Sequence, residues 1–208
     1  VKFGALGTTL TGLAPQAMAV LKSEYPEVGL HIRPGLTSTL LADIERGNLD
    51  AALVTKPHLM PAGVLFRPLA QERMELIAAT EEAEDDPLKL LKTKPFIRFN
   101  RNAVVGSLID SWLLSKDIRV SETMELDSAE AIASMVHANL GVSIMPRLTV
   151  PPPDSITLKH LSLGDDAPSR VLGLAYHEDQ LKAQAMDALY NAFSSVVERA
   201  QNSGPARA

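Results

Sequence analysis

The sequence contains no cysteine, which excludes disulfide bonds and thiolate metal sites. Aromatic residues make up only 4% of its 208 residues, and no apolar run is long enough for a membrane-spanning helix. Lysine and arginine (20) are outnumbered by aspartate and glutamate (25), and the basic residues do not cluster. Because the net charge is −5, we expect that this chain does not itself bind nucleic acid.

Motifs that are typical of catalytic or metal-binding sites are also missing from the sequence. The five histidines have no metal-ligand spacing, and no catalytic triad order, Gly-x-Ser-x-Gly turn, phosphate loop or carboxylate pair stands out. The acidic segment 81–87 lacks the alternating ligands and the glycine of a calcium loop, so a solvated loop is favoured. We therefore expect no catalysis, no metal and no cofactor.

What is present at the start is a strand that runs into a helix through a turn rich in glycine and threonine. Val1 to Leu6 is short and apolar, Gly7-Thr8-Thr9 follows, and from Leu10 the apolar residues recur at helical spacing. Such a turn presents amide N–H groups and hydroxyls at the positive end of a helix dipole. That arrangement suits a small anion, most often a carboxylate. The alternative is a threonine that only caps the helix.

The first half of the chain repeats this arrangement. Residues 29–34 alternate like a strand, and the glycine-, serine- and threonine-containing turn 35–39 leads into a helix that Gly47 closes. Residues 50–54 form a further apolar strand. The order β-α-β-α-β predicts a parallel sheet whose binding turns lie at the carboxyl ends of its strands.

The second half alternates in a similar way. Further strands are predicted at 64–70, 74–79, 96–99, 142–145 and 170–176. Helices are predicted from a capping-box pattern at Ser107, from Asp127, and over 182–200. We expect the prolines 151–153 to form a stiff surface spacer and residues 201–208 to fray.

Three motifs, taken in order, resemble the effector-binding domain of LysR-type transcriptional regulators. They are a proline after the first helix (Pro26), the step Gly47-Asn48-Leu49-Asp50 into a strand, and the strand exit Asn139-Leu140-Gly141-Val142-Ser143-Ile144-Met145-Pro146. In the last motif, Asn139 stands where the family often has glycine. The order and spacing of the motifs extend across nearly the whole chain.

The resemblance implies a type 2 periplasmic-binding-protein fold: two Rossmann-like α/β subdomains, two crossover segments that join them, and a ligand cleft between them. The crossovers would lie near residues 73–76 and 170–176. Subdomain I would comprise residues 1–74 plus 178–208, and subdomain II residues 75–177. The winged helix-turn-helix DNA-binding domain of the family would precede Val1 and is absent from this chain.

The resemblance also implies that strand-end turns of both subdomains contact the ligand. Threonine hydroxyl and amide groups would hold a carboxylate. Arg101 would pair with its charge, or would simply be an exposed arginine. Phe99 and Val105 would supply an apolar wall, or would simply pack in the core. The ligand-binding residues predicted in this way are Gly7, Thr8, Thr9, Thr37, Ser38, Phe99, Asn100, Arg101, Val105 and Ser128.

A homodimer or higher homo-oligomer is a further implication of the resemblance. The first helix of one subdomain would lie against the helix that begins near Ser107 in a second copy. The interface residues would be Val20, Leu21, Leu108 and Trp112, unless these belong to the core. Together these implications describe a cytoplasmic bacterial sensor of a small, anionic effector, which reaches DNA only through its missing domain and has no membrane partner.

Two other functions remain open at this point. A free periplasmic solute-binding protein of a transporter shares the fold, and cleavage of a signal peptide would also explain a start at Val1 without methionine. Such proteins usually run longer, and the motifs match the regulators better. An enzyme on the same fold is the third hypothesis, and it needs a catalytic constellation that the sequence does not show.

Overall fold

The chain divides into two units in a computed structural model that describes residues 1–203. The first unit contains Val1–Gln71, Leu148–Pro153 and the residues from Val171 onward. The second contains Glu72–Arg147 and Asp154–Arg170. The predicted α/β class with two subdomains is confirmed.

The nine strands and six helices of the described residues alternate through most of the chain. The strands are β1 (Lys2–Ala5), β2 (His31–Pro34), β3 (Ala51–Thr55), β4 (Val64–Ala78), β5 (Pro95–Phe99), β6 (Ser121–Leu126), β7 (Ser143–Pro146), β8 (Lys159–Ser162) and β9 (Ser169–His177). The helices are α1 (Leu13–Glu24), α2 (Thr37–Glu45), α3 (Pro87–Thr93), α4 (Val104–Ser115), α5 (Ala129–His137) and α6 (Ala183–Ser203). A 3₁₀ turn, Gly7–Thr9, separates β1 from α1.

In the first unit the strand order is β2-β1-β3-β9, with β1 parallel to both of its neighbours and β9 antiparallel to β3. Helices cover both faces of this sheet. Phe3 of β1 stacks on Phe193 of α6, with ring centroids 5.6 Å apart. On the other face α2 packs closely, since a Cβ at Gly4 would lie only 2.6 Å from Leu40. The core of the unit therefore lies in two layers, one on each side of the parallel strands.

In the second unit β5 and β6 are parallel, and a bridge between Phe96 and Val142 joins β5 to the chain entering β7. Strand β4 is antiparallel to both β7 and β8. The register pairs Phe99 with Leu126, so the turns after β5 and β6 leave the sheet at the same edge. The predicted strands at 96–99 and 142–145 are confirmed to within one residue at each end.

Several predicted elements have different bounds in the structure. Residues 64–70 and 74–78 belong to the single strand β4, and Ala79 lies beyond its end. Helix α4 begins at Val104 with Ala103 as its N-cap and no capping side chain, so the capping-box start at Ser107 is wrong. Helix α6 continues to Ser203, so residues 201–203 are helical; the rest of the segment expected to fray, 204–208, lies outside the described residues. The sequence analysis did not predict α3, β6 or β8.

The passages between the units lie next to residues 73–76 and within residues 170–176, the two crossover segments that the resemblance implied. The chain enters the second unit within β4, between Gln71 and Glu72, and returns within β9, between Arg170 and Val171. Residues 171–177 lie in the first unit because β9 pairs with β3. Residues 148–153 also lie in the first unit because Val150, 6% exposed, is buried in its core.

Candidate functional site

Four buried threonines gather at one edge of the sheet in the first unit. Because β1, β2 and β3 are parallel, their carboxyl ends share this edge. Thr8 and Thr9 lie in the 3₁₀ turn after β1, Thr37 begins α2 after β2, and Thr55 ends β3. Their exposed fractions are 9%, 2%, 3% and 1% in that order. We call this group the threonine edge.

The hydrogen bonds at the threonine edge run mostly to the backbone. The Thr9 hydroxyl donates to the carbonyl of Leu6 at 2.8 Å. The Thr37 hydroxyl donates to the carbonyl of Thr55 over 3.4 Å, which is long for such a bond. Within the described part of the chain, the Thr55 hydroxyl has no hydrogen-bond partner. The edge thus contains one weakly bonded and one unbonded hydroxyl below the surface.

Helix α2 adds a positive dipole end to this edge. Its N-cap is Leu36, whose side chain cannot accept a hydrogen bond from the first turn, and that turn contains no acidic residue. The amide N–H groups at the start of a helix attract negative charge when no cap side chain satisfies them. Thr37 and Ser38 occupy the first two positions of the helix, so hydroxyls and amides are available together.

The threonine edge is open to solvent on its outer side. Gly7 is exposed, and a Cβ built on it would meet no atom within 4 Å. Ser38 is exposed as well. A small molecule can therefore reach the turn at Gly7 and the first turn of α2 from solvent. Of the predicted ligand residues, the structure brings together Gly7, Thr8, Thr9, Thr37 and Ser38.

The predicted ligand residues of the second unit are mostly engaged in its own structure. Phe99 (5% exposed) and Val105 (3%) are core residues of β5 and α4. Asn100 Oδ1 accepts from the backbone of Asn102 at 2.9 Å, which closes the turn after β5. Ser128 caps α5, since its Oγ accepts from the Ala131 amide at 3.2 Å.

Arg101 shares its guanidinium between two glutamates of β6. Its Nε donates to Glu125 at 3.0 Å and its Nη2 to Glu122 at 2.5 Å. Arg98, which is nearly buried, donates to Glu122 at 2.6 Å and pairs with Asp110. The hydrogen bonds from the Arg101 amide and guanidinium lower the pKa of Glu125. Three carboxylates therefore compensate two arginines here, and Arg101 is not a free cation.

The residues predicted for a dimer interface divide into two groups. Leu21 (2% exposed) and Trp112 (6%) are buried within their own units and belong to the core. Val20 and Leu108 are partly exposed on α1 and α4. Only these two lie at a surface where a second copy can contact them.

Thr55 is the residue that sequence reasoning missed. It follows the apolar run from Ala51 to Val54, and a threonine at the end of such a strand fits the β propensity of its side chain. The available signal was its position, since it ends a parallel strand at the same edge as the other threonines. Elsewhere, no group of three or more histidine, aspartate or glutamate side chains within residues 1–203 is placed to hold a metal. Nor is any helix of that range long and apolar enough to cross a bilayer.

The chain resembles known proteins over most of its length. It matches the family described as LysR substrate binding domain over residues 1–197. It is 26% identical over 136 residues to the HTH-type transcriptional regulator SoxR of Arthrobacter sp. (strain TE1826), which covers 65% of this chain and 46% of the relative. It is 27% identical over 147 residues to the uncharacterised HTH-type transcriptional regulator YusT of Bacillus subtilis (strain 168), with coverages of 71% and 48%.

A solved structure, the effector binding domain of QuiR in complex with shikimate, superposes with a TM-score of 0.79 at 18% identity and covers 96% of this chain and 97% of that one. At this identity the likeness shows the fold alone, which is that of the type 2 periplasmic-binding-protein-like effector-binding domains. The chain spans about half the length of the curated relatives it matches. Because the family match extends over residues 1–197, the protein belongs to the LysR substrate-binding domain family.

Proposed function

We propose that this chain is the effector-sensing part of a LysR-type transcriptional regulator and that it binds a small carboxylate at the threonine edge of the first unit. The observation that carries the proposal is the start of α2, where the backbone amides have no side-chain cap. The buried Thr37 and the exposed Ser38 lie beside these amides. An anion placed there gains charge-assisted hydrogen bonds and the favourable end of the helix dipole.

The relatives favour a regulator over a free solute-binding protein. The curated proteins that the chain matches are named HTH-type transcriptional regulators, and the chain spans about half of each. In the whole regulator, DNA binding would therefore reside in a separate helix-turn-helix part. Such a regulator acts in the cytoplasm, and this chain contributes binding without catalysis.

The effector acts in this proposal by shifting a conformational equilibrium. It can shift that equilibrium only by as much as its affinities for the two conformations differ. A homodimer that contacts a second copy through Val20 and Leu108 would carry the shift to the DNA-binding parts. Both residues are partly exposed, whereas Leu21 and Trp112 on the same two helices are buried.

A thermal-shift screen of carboxylates, shikimate included, tests the proposed site. A ligand at 100 times its Kd stabilises the chain by about 2.7 kcal/mol. Thr37→Val should weaken binding about tenfold or more, since about 1.4 kcal/mol is tenfold in Kd and a charge-assisted hydrogen bond is worth at least that. Thr39→Val, two residues along α2 and exposed, is the matched control and should bind normally. A ligand whose affinity survives Thr37→Val would place the site elsewhere.

Contacts from Phe99, Asn100, Arg101, Val105 and Ser128 stay predictions. Arg101 is expected to contribute little to effector binding, because the effector would have to compete with Glu122 and Glu125 for its guanidinium group. Arg101→Met should therefore change effector affinity by less than about tenfold, whereas removal of a free charge partner commonly costs more. A larger loss would show that Arg101 leaves its glutamates to bind the effector.

A further inference from the structure

The Thr55 hydroxyl is a buried polar group for which the described part of the chain supplies no hydrogen-bond partner. Thr55 is the last residue of β3 and is 1% exposed. Valine has nearly the same shape and would fill the position without burying an unsatisfied hydroxyl. The apolar residues Ala51 to Val54 precede it, so a valine would also continue the pattern of the strand. In the unliganded fold, the hydroxyl costs stability.

Thr55 ends β3 at the same edge of the sheet as the 3₁₀ turn after β1 and the start of α2. Ala5 pairs with Leu53 across β1 and β3, and the Leu6 amide donates to the Leu53 carbonyl at 3.3 Å. The 3₁₀ turn that begins at Gly7 therefore leaves the sheet close to the end of β3, where Thr55 lies. The Thr55 carbonyl accepts a long hydrogen bond from the Thr37 hydroxyl, which connects the end of β3 to the start of α2.

One neighbouring hydroxyl has already committed its proton, since Thr9 donates to the Leu6 carbonyl at 2.8 Å. The Thr37 hydroxyl donates to the Thr55 carbonyl only over a long 3.4 Å, so a ligand carboxylate can accept that hydrogen bond instead. A hydroxyl has one proton and two acceptor lone pairs, so Thr9 can serve a ligand as an acceptor. Thr55 retains its proton as well as its lone pairs. The edge thus offers amide donors for a carboxylate and hydroxyl acceptors for a group that brings its own proton.

We propose that Thr55 contacts the effector and that the effector is a hydroxylated carboxylate, one of whose hydroxyl groups is hydrogen-bonded to the Thr55 side chain. This inference rests on the proposed function and adds the chemical class of the ligand and a residue that selects it. A site built to bond a ligand hydroxyl rejects the analogue that lacks it, because the buried protein group then stays unpaired.

Calorimetric titration of the 208-residue chain with pairs of acids that differ by one hydroxyl tests this inference. Suitable pairs are propanoate and lactate, benzoate and 3-hydroxybenzoate, and cyclohexanecarboxylate and its 3-hydroxy derivative. In at least one pair the hydroxylated acid should bind about tenfold tighter or more. Thr55→Val should abolish that preference and leave the affinity for the other acid unchanged, and Thr55→Ser should keep it.

The unliganded variants supply a second readout that does not depend on the choice of acid. Thr55→Val should unfold at the same temperature as the wild type or higher, because it removes an unsatisfied hydroxyl. A lower unfolding temperature, or a preference for the hydroxylated acid that survives Thr55→Val, overturns the inference. If Thr37→Val weakens both members of a pair while Thr55→Val changes nothing, the carboxylate site stands and this inference fails. If no carboxylate binds the wild type, both proposals fall.

Discussion

Arg170 donates through Nε to Oε2 of Glu72 at 2.8 Å, and its Nη2 lies 2.7 Å from the same oxygen. Both residues are buried, with 2% and 4% of their surface exposed. Glu72 is the first residue of the second unit on β4, and Arg170 is its last residue on β9. The ion pair therefore joins the two strands at the point where the chain enters and leaves that unit.

Breaking this pair should destabilise the chain strongly. Arg170→Met leaves a buried carboxylate without its partner, which typically costs about 3–5 kcal/mol. Urea unfolding monitored by circular dichroism measures the loss. The double variant Glu72→Leu/Arg170→Met removes both charges and should lose less than the single variant.

Arg46→Met serves as the control for this experiment because Arg46 is exposed on the surface. Its effect should stay within about 0.5 kcal/mol. Equal stabilities of Arg170→Met and Arg46→Met would mean that the buried pair contributes nothing.

Gly12 should not tolerate a side chain. A Cβ there would lie 2.2 Å from the Val150 carbonyl oxygen and 3.0 Å from the backbone of Pro151, neither of which can move easily. Gly12→Ala is therefore expected to cost about 1–3 kcal/mol, as overpacking usually does. Gly29→Ala is the matched control, because its Cβ would meet nothing within 4 Å. Thermal unfolding of the two variants decides the matter, and equal unfolding temperatures would contradict the close approach of Val150.

The fold was largely predictable because its signals are local. The alternation of short apolar strands and helical periodicity indicated the β-α-β-α-β order of the first unit, which the parallel pairing of β1 with β2 and β3 confirms. The continuity of β4 was not predictable, because polar residues such as Gln71 and Glu72 interrupt its apolar pattern. Their environment changes where the chain passes from one unit to the other, and no local signal records that.

The stability of the chain should fall in acid partly through Glu75. Its carboxylate lies 3.1 Å from His160 Nδ1 and accepts from Arg147 at 3.0 Å. The hydrogen bond with His160 and that with Arg147 lower the pKa of Glu75 below its ordinary value of 4.5. A lowered carboxyl pKa adds stability that is complete above the ordinary value and is lost as the pH falls through the folded-state value.

Glu75→Gln should therefore flatten the decline of unfolding free energy below pH 4.5. Urea unfolding at a series of pH values from about 7 to about 3, a range that includes the titration of carboxyl groups, measures the slope. Glu24→Gln, at an exposed glutamate, should keep the wild-type slope. An unchanged slope in Glu75→Gln would show that these hydrogen bonds do not persist in solution.

The dimer prediction separates exposed residues from buried ones. Val20→Glu and Leu108→Glu place charges on partly exposed positions and should convert a dimer to a monomer without unfolding it. Leu21→Glu, by contrast, buries a charge and should unfold the first unit. Sedimentation velocity combined with circular dichroism distinguishes the two results. A wild type that sediments as a monomer, or a dimer unchanged by both substitutions, would refute the interface.

The candidate site could be predicted only in part from the sequence. The turn at Gly7 and the start of α2 at Thr37 follow from strand ends and turn composition. The partners of Arg101 could not be foreseen, because β6, which carries Glu122 and Glu125, showed no clear strand pattern. The unsatisfied hydroxyl of Thr55 depends on three-dimensional packing, which composition does not reveal.

The first unit is assembled from separate pieces of chain, and this sets the order in which the units can be completed during synthesis. Its core includes Val150 and, from α6, Phe193, so it stays incomplete until Phe193 has left the ribosome. The second unit has all of its residues once Arg170 has emerged. The second unit can therefore fold before the first is complete, and the nascent β1–β3 sheet must wait with an uncovered apolar face.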